Sequence, residues 1–151
     1  MELYTSDSFD GDLERIKADC LANGKRDASI LIMTFLEHIV KNDDAMDYFT
    51  KWKDNHVNFP KFNISAIAWL QSKGYYIYRC RPFFANLTEY RLIYAFDGVR
   101  DEIHMLAAVI KKPATIPEHI IDEKHYGYEQ AHPISTRICG DYDALGLPRL
   151  C

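Results

Sequence analysis

Three closely spaced apolar runs carry cations where a buried strand would not ordinarily hold them. Ile77-Tyr-Arg-Cys-Arg81 holds Arg79 and Arg81, Tyr90-Arg-Leu-Ile-Tyr-Ala-Phe96 holds Arg91, and Ile103-His-Met-Leu-Ala-Ala-Val-Ile-Lys-Lys112 ends in Lys111 and Lys112. A cation inside an apolar strand is costly to bury, so it must reach the surface or meet an anion. Several on one small sheet make a platform for phosphate or for an acidic partner. Side chains alternate along a strand, so Arg79 and Arg81 share a face, and Arg91 points away from the face of Tyr90, Leu92, Tyr94 and Phe96. If the two arginine faces coincide, the three form a cluster. Otherwise they are independent surface arginines on a half-exposed sheet.

The elements that must position these residues follow from periodicity and breakers. Met1 to Thr5 reads as a short strand, and Ser8 or Asp10 caps a helix from about Asp12 to Leu21, stopped by Asn23-Gly24. Asp27 caps a second helix through about Lys41, with Leu31, Phe35, Leu36, Ile39 and Val40 along one stripe. Asp43 or Asp44 opens a third, with Met46, Phe49 and Trp52 inward. After Pro60, Asn63 or Ser65 caps a helical turn over Ala66 to Ser72 that Gly74 ends. The strands Tyr75–Arg81, Tyr90–Phe96 and Ile103–Lys111 follow, with Pro82, Asp97-Gly98 and Pro113 as breaks. Their connections are too short for crossover helices, so they form an antiparallel meander. Helical stretches are expected near Glu118–Lys124 and Ser135–Leu145. In the latter region Ile134, Ile138, Tyr142 and Leu145 make a stripe that needs an apolar partner, either the domain's own sheet or a second chain. The expected class is α+β: an N-terminal helical hairpin on a small antiparallel sheet, one domain over 1–151, with 132–151 as a C-terminal helical extension.

Hydrophobic residues make up 48% of the 151, enough for a real core and against disorder. No apolar run has the length of a membrane span, and the acidic N-terminal stretch lacks a basic-then-apolar signal. Cys20, Cys80, Cys139 and Cys151 are far apart with no metal-ligand spacing, which fits reduced thiols in a cytoplasmic protein. The net charge of −4 is unevenly spread: residues 73–112 hold 7 Lys/Arg against 4 Asp/Glu, and the flanking segments are acidic. The positive segment is the one with the three strands. No HExxH, P-loop or Gly-rich dinucleotide motif occurs, which excludes the metalloprotease, NTPase and Rossmann classes. Asp43-Asp44 reads as helix capping, and Asp141-Tyr-Asp143 has no partner set, so no metal site is expected.

The order of elements, with Leu3-Tyr-Thr-Ser and Phe9 at the start, Ile77-Tyr-Arg-Cys-Arg81, Tyr90-Arg-Leu-Ile-Tyr94 and Val109-Ile-Lys-Lys-Pro113, resembles the RelE/ParE toxin superfamily of toxin–antitoxin systems, and most closely its phage-derived branch. The resemblance covers about residues 1–128. Arg79 stands where the family's first motif has a glutamate, and the tail beyond about Gln130 extends past the usual small toxin. The resemblance implies a RelE-like fold and a cognate antitoxin as partner. Its target would be messenger RNA on the ribosome, cleaved without a cofactor, or DNA gyrase, inhibited by surface contact. A RelE-fold interaction module without toxicity is the third form. By carry-over, Arg81 and Arg91 match the arginines of the first two motifs and Lys111 and Lys112 the terminal basic pair, while His125, Tyr126 and Tyr128 fall where some RNA-cleaving members place a His or Tyr.

The chemistry stands beside that resemblance. Cleaving RNA through its 2′-hydroxyl needs a base, an acid and positive charge on the phosphorane oxygens. Arg81 and Arg91 are the candidates for the phosphate, with His125 or Tyr126 assisting. Arg79, Lys111, Lys112 and Tyr128 are the candidates for holding the nucleic acid. His104, mid-strand, reads as a hydrogen-bonded structural residue.

Overall fold

The computed structural model describes residues 2–50, 56–59, 61–83 and 87–149. Ser6 opens the first helix, its hydroxyl accepting from Phe9 N at 3.0 Å, so helix α1 spans Asp7–Ala22 and begins before the expected caps. It follows strand β1 (Glu2–Thr5). Helix α2 (Ala28–Val40) starts where Asp27 Oδ1 accepts from Ser29 N at 2.9 Å, and α3 (Asp43–Phe49) starts on Asn42. The expected inward Trp52 lies outside the described residues. The segment read as helix capping around Asn63 and Ser65 is instead strand β3 (Phe62–Ala66), paired with β2 (His56–Phe59). Its buried Phe62 and Ile64 alternate with Asn63 and Ser65, a period of two that outweighs the capping signal. Then come α4 (Ala68–Ser72), β4 (Ile77–Pro82), β5 (Tyr90–Asp97), β6 (Glu102–Ile110) and α5 (Pro133–Ala144). Residues 118–124 form turns and not the expected helix.

The sheet has six strands in the order β1-β6-β5-β4-β3-β2. Strands β2 to β6 are antiparallel neighbours, as the short connections require, but β1 pairs in parallel with β6. The sheet is therefore mixed and not purely antiparallel: the whole chain between Thr5 and Glu102 serves as the crossover that a parallel pair needs. Helices α1–α3 cover one face, where Phe9, Leu13, Phe35, Ile39 and Phe49 meet Tyr78, Leu92, Tyr94 and Met105. Helix α5, with Leu70 of α4 and Tyr126, covers part of the other, where Ile138 and Tyr142 meet Ile77, Ile93, Ala95 and Leu106. The C-terminal stripe thus packs on the chain's own sheet. Asp143 on α5 is exposed, whereas Asp141, expected in solvent, has a buried carboxylate oxygen. Cys20, Cys80 and Cys139 are free thiols. No helix among the described residues is long and apolar enough to cross a membrane.

One irregularity in β6 matters for the site. Ile93 pairs with Ala107 and Tyr94 with Met105, so Leu106 is an extra residue, a β-bulge. Ile103 and Met105 lie with α1–α3, but Leu106 and Ala107 both lie on the α5 side. Every later residue of β6 therefore has its face reversed relative to an unbroken strand. The bulge sits where β1 has ended, and its backbone groups are met by side chains. Asp12 Oδ2 accepts from Ala108 N at 2.9 Å, and Arg137 Nη2 donates to Leu106 O at 3.2 Å. Asp12, 0% exposed, pairs with Arg137 through two bonds of 2.8 and 2.7 Å. Beyond them Tyr126 N donates to Ile110 O and Lys112 N to Tyr126 O, completing the cover of this edge.

Candidate functional site

The β4–β5 register pairs Ile77 with Ala95 and Arg79 with Ile93, and β5–β6 pairs Arg91 with Val109. Ile77, Ile93, Ala95 and Val109 all belong to the α5-side cluster. Arg79, Arg81 and Arg91, in phase with them, share that side, so the two arginine faces coincide. Lys111 follows Val109 by two residues and joins the same side because of the bulge. Helix α5 covers the Ile77–Ala95 end of this face, and the cations occupy the other end.

Arg91 is 9% exposed, and its Nη1 donates to Thr88 O at 2.7 Å and Tyr90 O at 2.9 Å. Arg79 donates to Asn63 Oδ1 on the neighbouring strand. Arg81 is exposed. Lys111 Nζ lies 5.2 Å from the centroid of the Tyr128 ring, a cation–π contact. Burial holds the Arg91 guanidinium below its ordinary pKa, opposed by Tyr128 and reinforced by Arg81 and Arg79. Burial also lowers Lys111, with Arg91 the next cause. Among the described residues none of these four cations forms an ion pair with a carboxylate. Glu129 partly offsets the repulsion at Lys111, but four cations gathered on one face with no ion pair among the described residues form a site whose electrostatics favour an anion.

Tyr128 closes one side of the cluster. Its backbone has a φ of 63°, its carbonyl accepts from Trp69 Nε1 at 2.7 Å, and its hydroxyl is buried. Arg91, beside that hydroxyl, opposes the upward push of burial on its pKa. The net shift is upward, so the phenol keeps its proton.

Three expected site residues are not in this cluster. Lys112 has the opposite strand phase to Lys111 and is 8% exposed. Its Nζ donates to Glu129 Oε2 at 2.9 Å, to Glu118 O at 3.3 Å and to Ile120 O, so it holds the following loop and not a ligand. Gly127 is required beside it, since a Cβ there would stand 2.8 Å from Lys112 Cδ. Tyr126 is 1% exposed. Ser135 Oγ donates its single proton to Glu129 O, so the Tyr126 hydroxyl donates to Ser135 Oγ at 2.6 Å, and burial pushes its pKa far up. It is a core residue. His125 pairs with Asp122 at 2.6 Å and lines a cleft of about 450 Å³ with Arg15, Asp19 and Ile134. His104 is structural as expected, 3.1 Å from Glu102 and stacked on Tyr4.

Sequence reasoning overlooked His132, which is 1% exposed and caps α5. Its Nδ1 accepts from Ile134 N at 3.0 Å, so its Nε2 carries the proton and donates to Asp122 O and His125 O. A His directly before a Pro that opens an amphipathic stripe was the available signal. Among the described residues no group of three or more His, Cys, Asp or Glu could hold a metal ion.

The cation cluster has a signature in titration. Lys111 is expected to lose its proton at lower pH than the ordinary lysine side chain, and Arg91→Gln should move it part of the way back up, because one of the two main causes is removed while burial remains. NMR titration of the lysine Cε signals checks this; an unchanged Lys111 in the variant would mean the two groups do not interact.

Comparison with protein-family models, with curated proteins and with solved structures finds no match for this chain.

Proposed function

We propose that the cation face receives the phosphate backbone of RNA and that the chain acts as a nucleic-acid-directed toxin of the RelE/ParE kind, cleaving messages by attack of the RNA's own 2′-hydroxyl. The observation that carries this reading is the gathering of Arg79, Arg81, Arg91 and Lys111 on one sheet face, none of them in an ion pair among the described residues. The motifs of the resemblance lie on β4, on β5 and at the end of β6, the strands that build this face. In the proposed chemistry Arg81 and Arg91 hold the scissile phosphate and take up the charge of the phosphorane, Arg79 and Lys111 hold the flanking backbone with Tyr128 beside them, one water molecule takes the proton of the attacking 2′-hydroxyl and another protonates the 5′-oxygen as its bond to phosphorus breaks. The N-terminal helices on a meander would then be a RelE-like arrangement, and a cognate antitoxin with an acidic segment would neutralise the chain by covering this face.

Binding without cleavage, either to gyrase or as an interaction module, is the second reading. It is favoured by the commitment of His125 to Asp122 and of Tyr126 to the core, which leaves neither residue to assist at the phosphate.

Induced expression of the isolated chain in bacteria tests the toxin reading. Growth arrest is expected, and Arg81→Ala and Arg91→Gln should each relieve it. Arg81→Ala should change stability by less than about 0.5 kcal/mol, because the side chain is exposed. New message 5′ ends in primer extension support cleavage. Arrest with intact messages moves the reading to gyrase, and undisturbed growth removes the toxin reading.

A further inference from the structure

Phe83 follows β4 and is 45% exposed. It stands two residues beyond Arg81, and Arg81 Cζ lies 5.7 Å from its ring centroid, so the ring joins the side of the sheet that carries the cations. Its backbone N–H donates to Lys61 O at 2.8 Å, which sets the ring's position from the main chain while leaving nearly half the residue open to solvent. An exposed aromatic face beside a guanidinium that has no carboxylate partner among the described residues, at the border of a phosphate-binding surface, matches the composition of a nucleotide: a flat base next to an anion. We infer that Phe83 is a stacking platform for a nucleobase, and that the ligand of the cation face is a single-stranded nucleic acid with an unstacked base beside the bound phosphate. A duplex offers the same phosphates but keeps its base faces stacked inside, so it could use the cations and not the ring.

This inference rests on the phosphate reading of the preceding subsection, and the test separates the two. Fluorescence anisotropy on the full chain uses three probes: a short single-stranded RNA, its duplex and inorganic polyphosphate. Phe83→Leu is expected to weaken single-stranded RNA about tenfold and to leave polyphosphate within about twofold, and Phe83→Trp to restore the loss. Melting curves of both variants should match the parent. If Phe83→Leu leaves single-stranded RNA unchanged or weakens polyphosphate equally, or if the duplex binds as tightly as the single strand, the stacking inference is overturned. In that case weakening of all probes by Arg81→Ala and Arg91→Gln still upholds the phosphate reading. If those two variants also bind every probe like the parent, both readings fall together.

Discussion

Truncation after Ala131 is expected to yield a chain without a cooperative unfolding transition, prone to aggregation. The deleted segment supplies Ile138 and Tyr142, both 0% exposed, and Leu147, 6% exposed, all packed against the sheet. Emptying a site of one large buried side chain typically costs about 2–5 kcal/mol. Two such sites approach the roughly 5–15 kcal/mol that hold an ordinary domain together. The same cut removes Arg137 from Asp12, Ser135 from Tyr126 and the His132 cap, leaving buried polar groups without partners. Loss of the thermal transition in circular dichroism is the expected result. A truncated chain melting within a few degrees of the parent would show that the sheet does not depend on α5.

Arg137→Met is expected to destabilise the chain by about 3–5 kcal/mol in urea unfolding, because it leaves the Asp12 carboxylate buried without its bidentate partner. Arg15, at 2.8 Å from Asp12 Oδ1 but 57% exposed, is a weaker substitute. The double variant Asp12→Leu/Arg137→Met should cost clearly less than the sum of the two single changes, since a buried charge is no longer left alone. It should still cost something, because Ala108 N–H loses its acceptor at the edge of β6. Additive single and double losses would mean that Asp12 and Arg137 do not act as a unit. The effect reaches the cation face as well. These two residues hold the backbone at Leu106 O and Ala108 N, at and just after the bulge that turns Lys111 toward the arginines.

Much of this architecture was legible in the amino-acid pattern. The stripe of Phe35, Leu36 and Ile39 marked α2, and the runs around Arg79, Arg91 and His104 marked three consecutive strands with connections too short for crossover. These are local signals, read from spacing along one element. The hairpin of β2 and β3 was missed because Asn63 and Ser65 are good helix caps in isolation, and only pairing with β4 makes them strand residues. The opening strand's parallel place beside β6 joins residues about a hundred positions apart, which no local pattern encodes.

The candidate site divides along the same line. Residue types and alternation alone determined that Arg79 and Arg81 share a face and that Arg91 opposes Tyr94 on its strand. Strand register then decided that the two arginine faces are one. The roles of Lys111 and Lys112, equivalent in sequence, were separated by the bulge: with one extra residue at Leu106 the first lysine faces the arginines and the second is buried against Glu129. His125 and Tyr126 have the right chemistry for catalysis, but a hydrogen bond with Asp122 and burial beneath α5 commit them elsewhere. Periodicity sets which way a side chain leaves its own strand. Which groups meet there depends on register, on bulges and on the edges that buried side chains must satisfy, and those are properties of the folded chain.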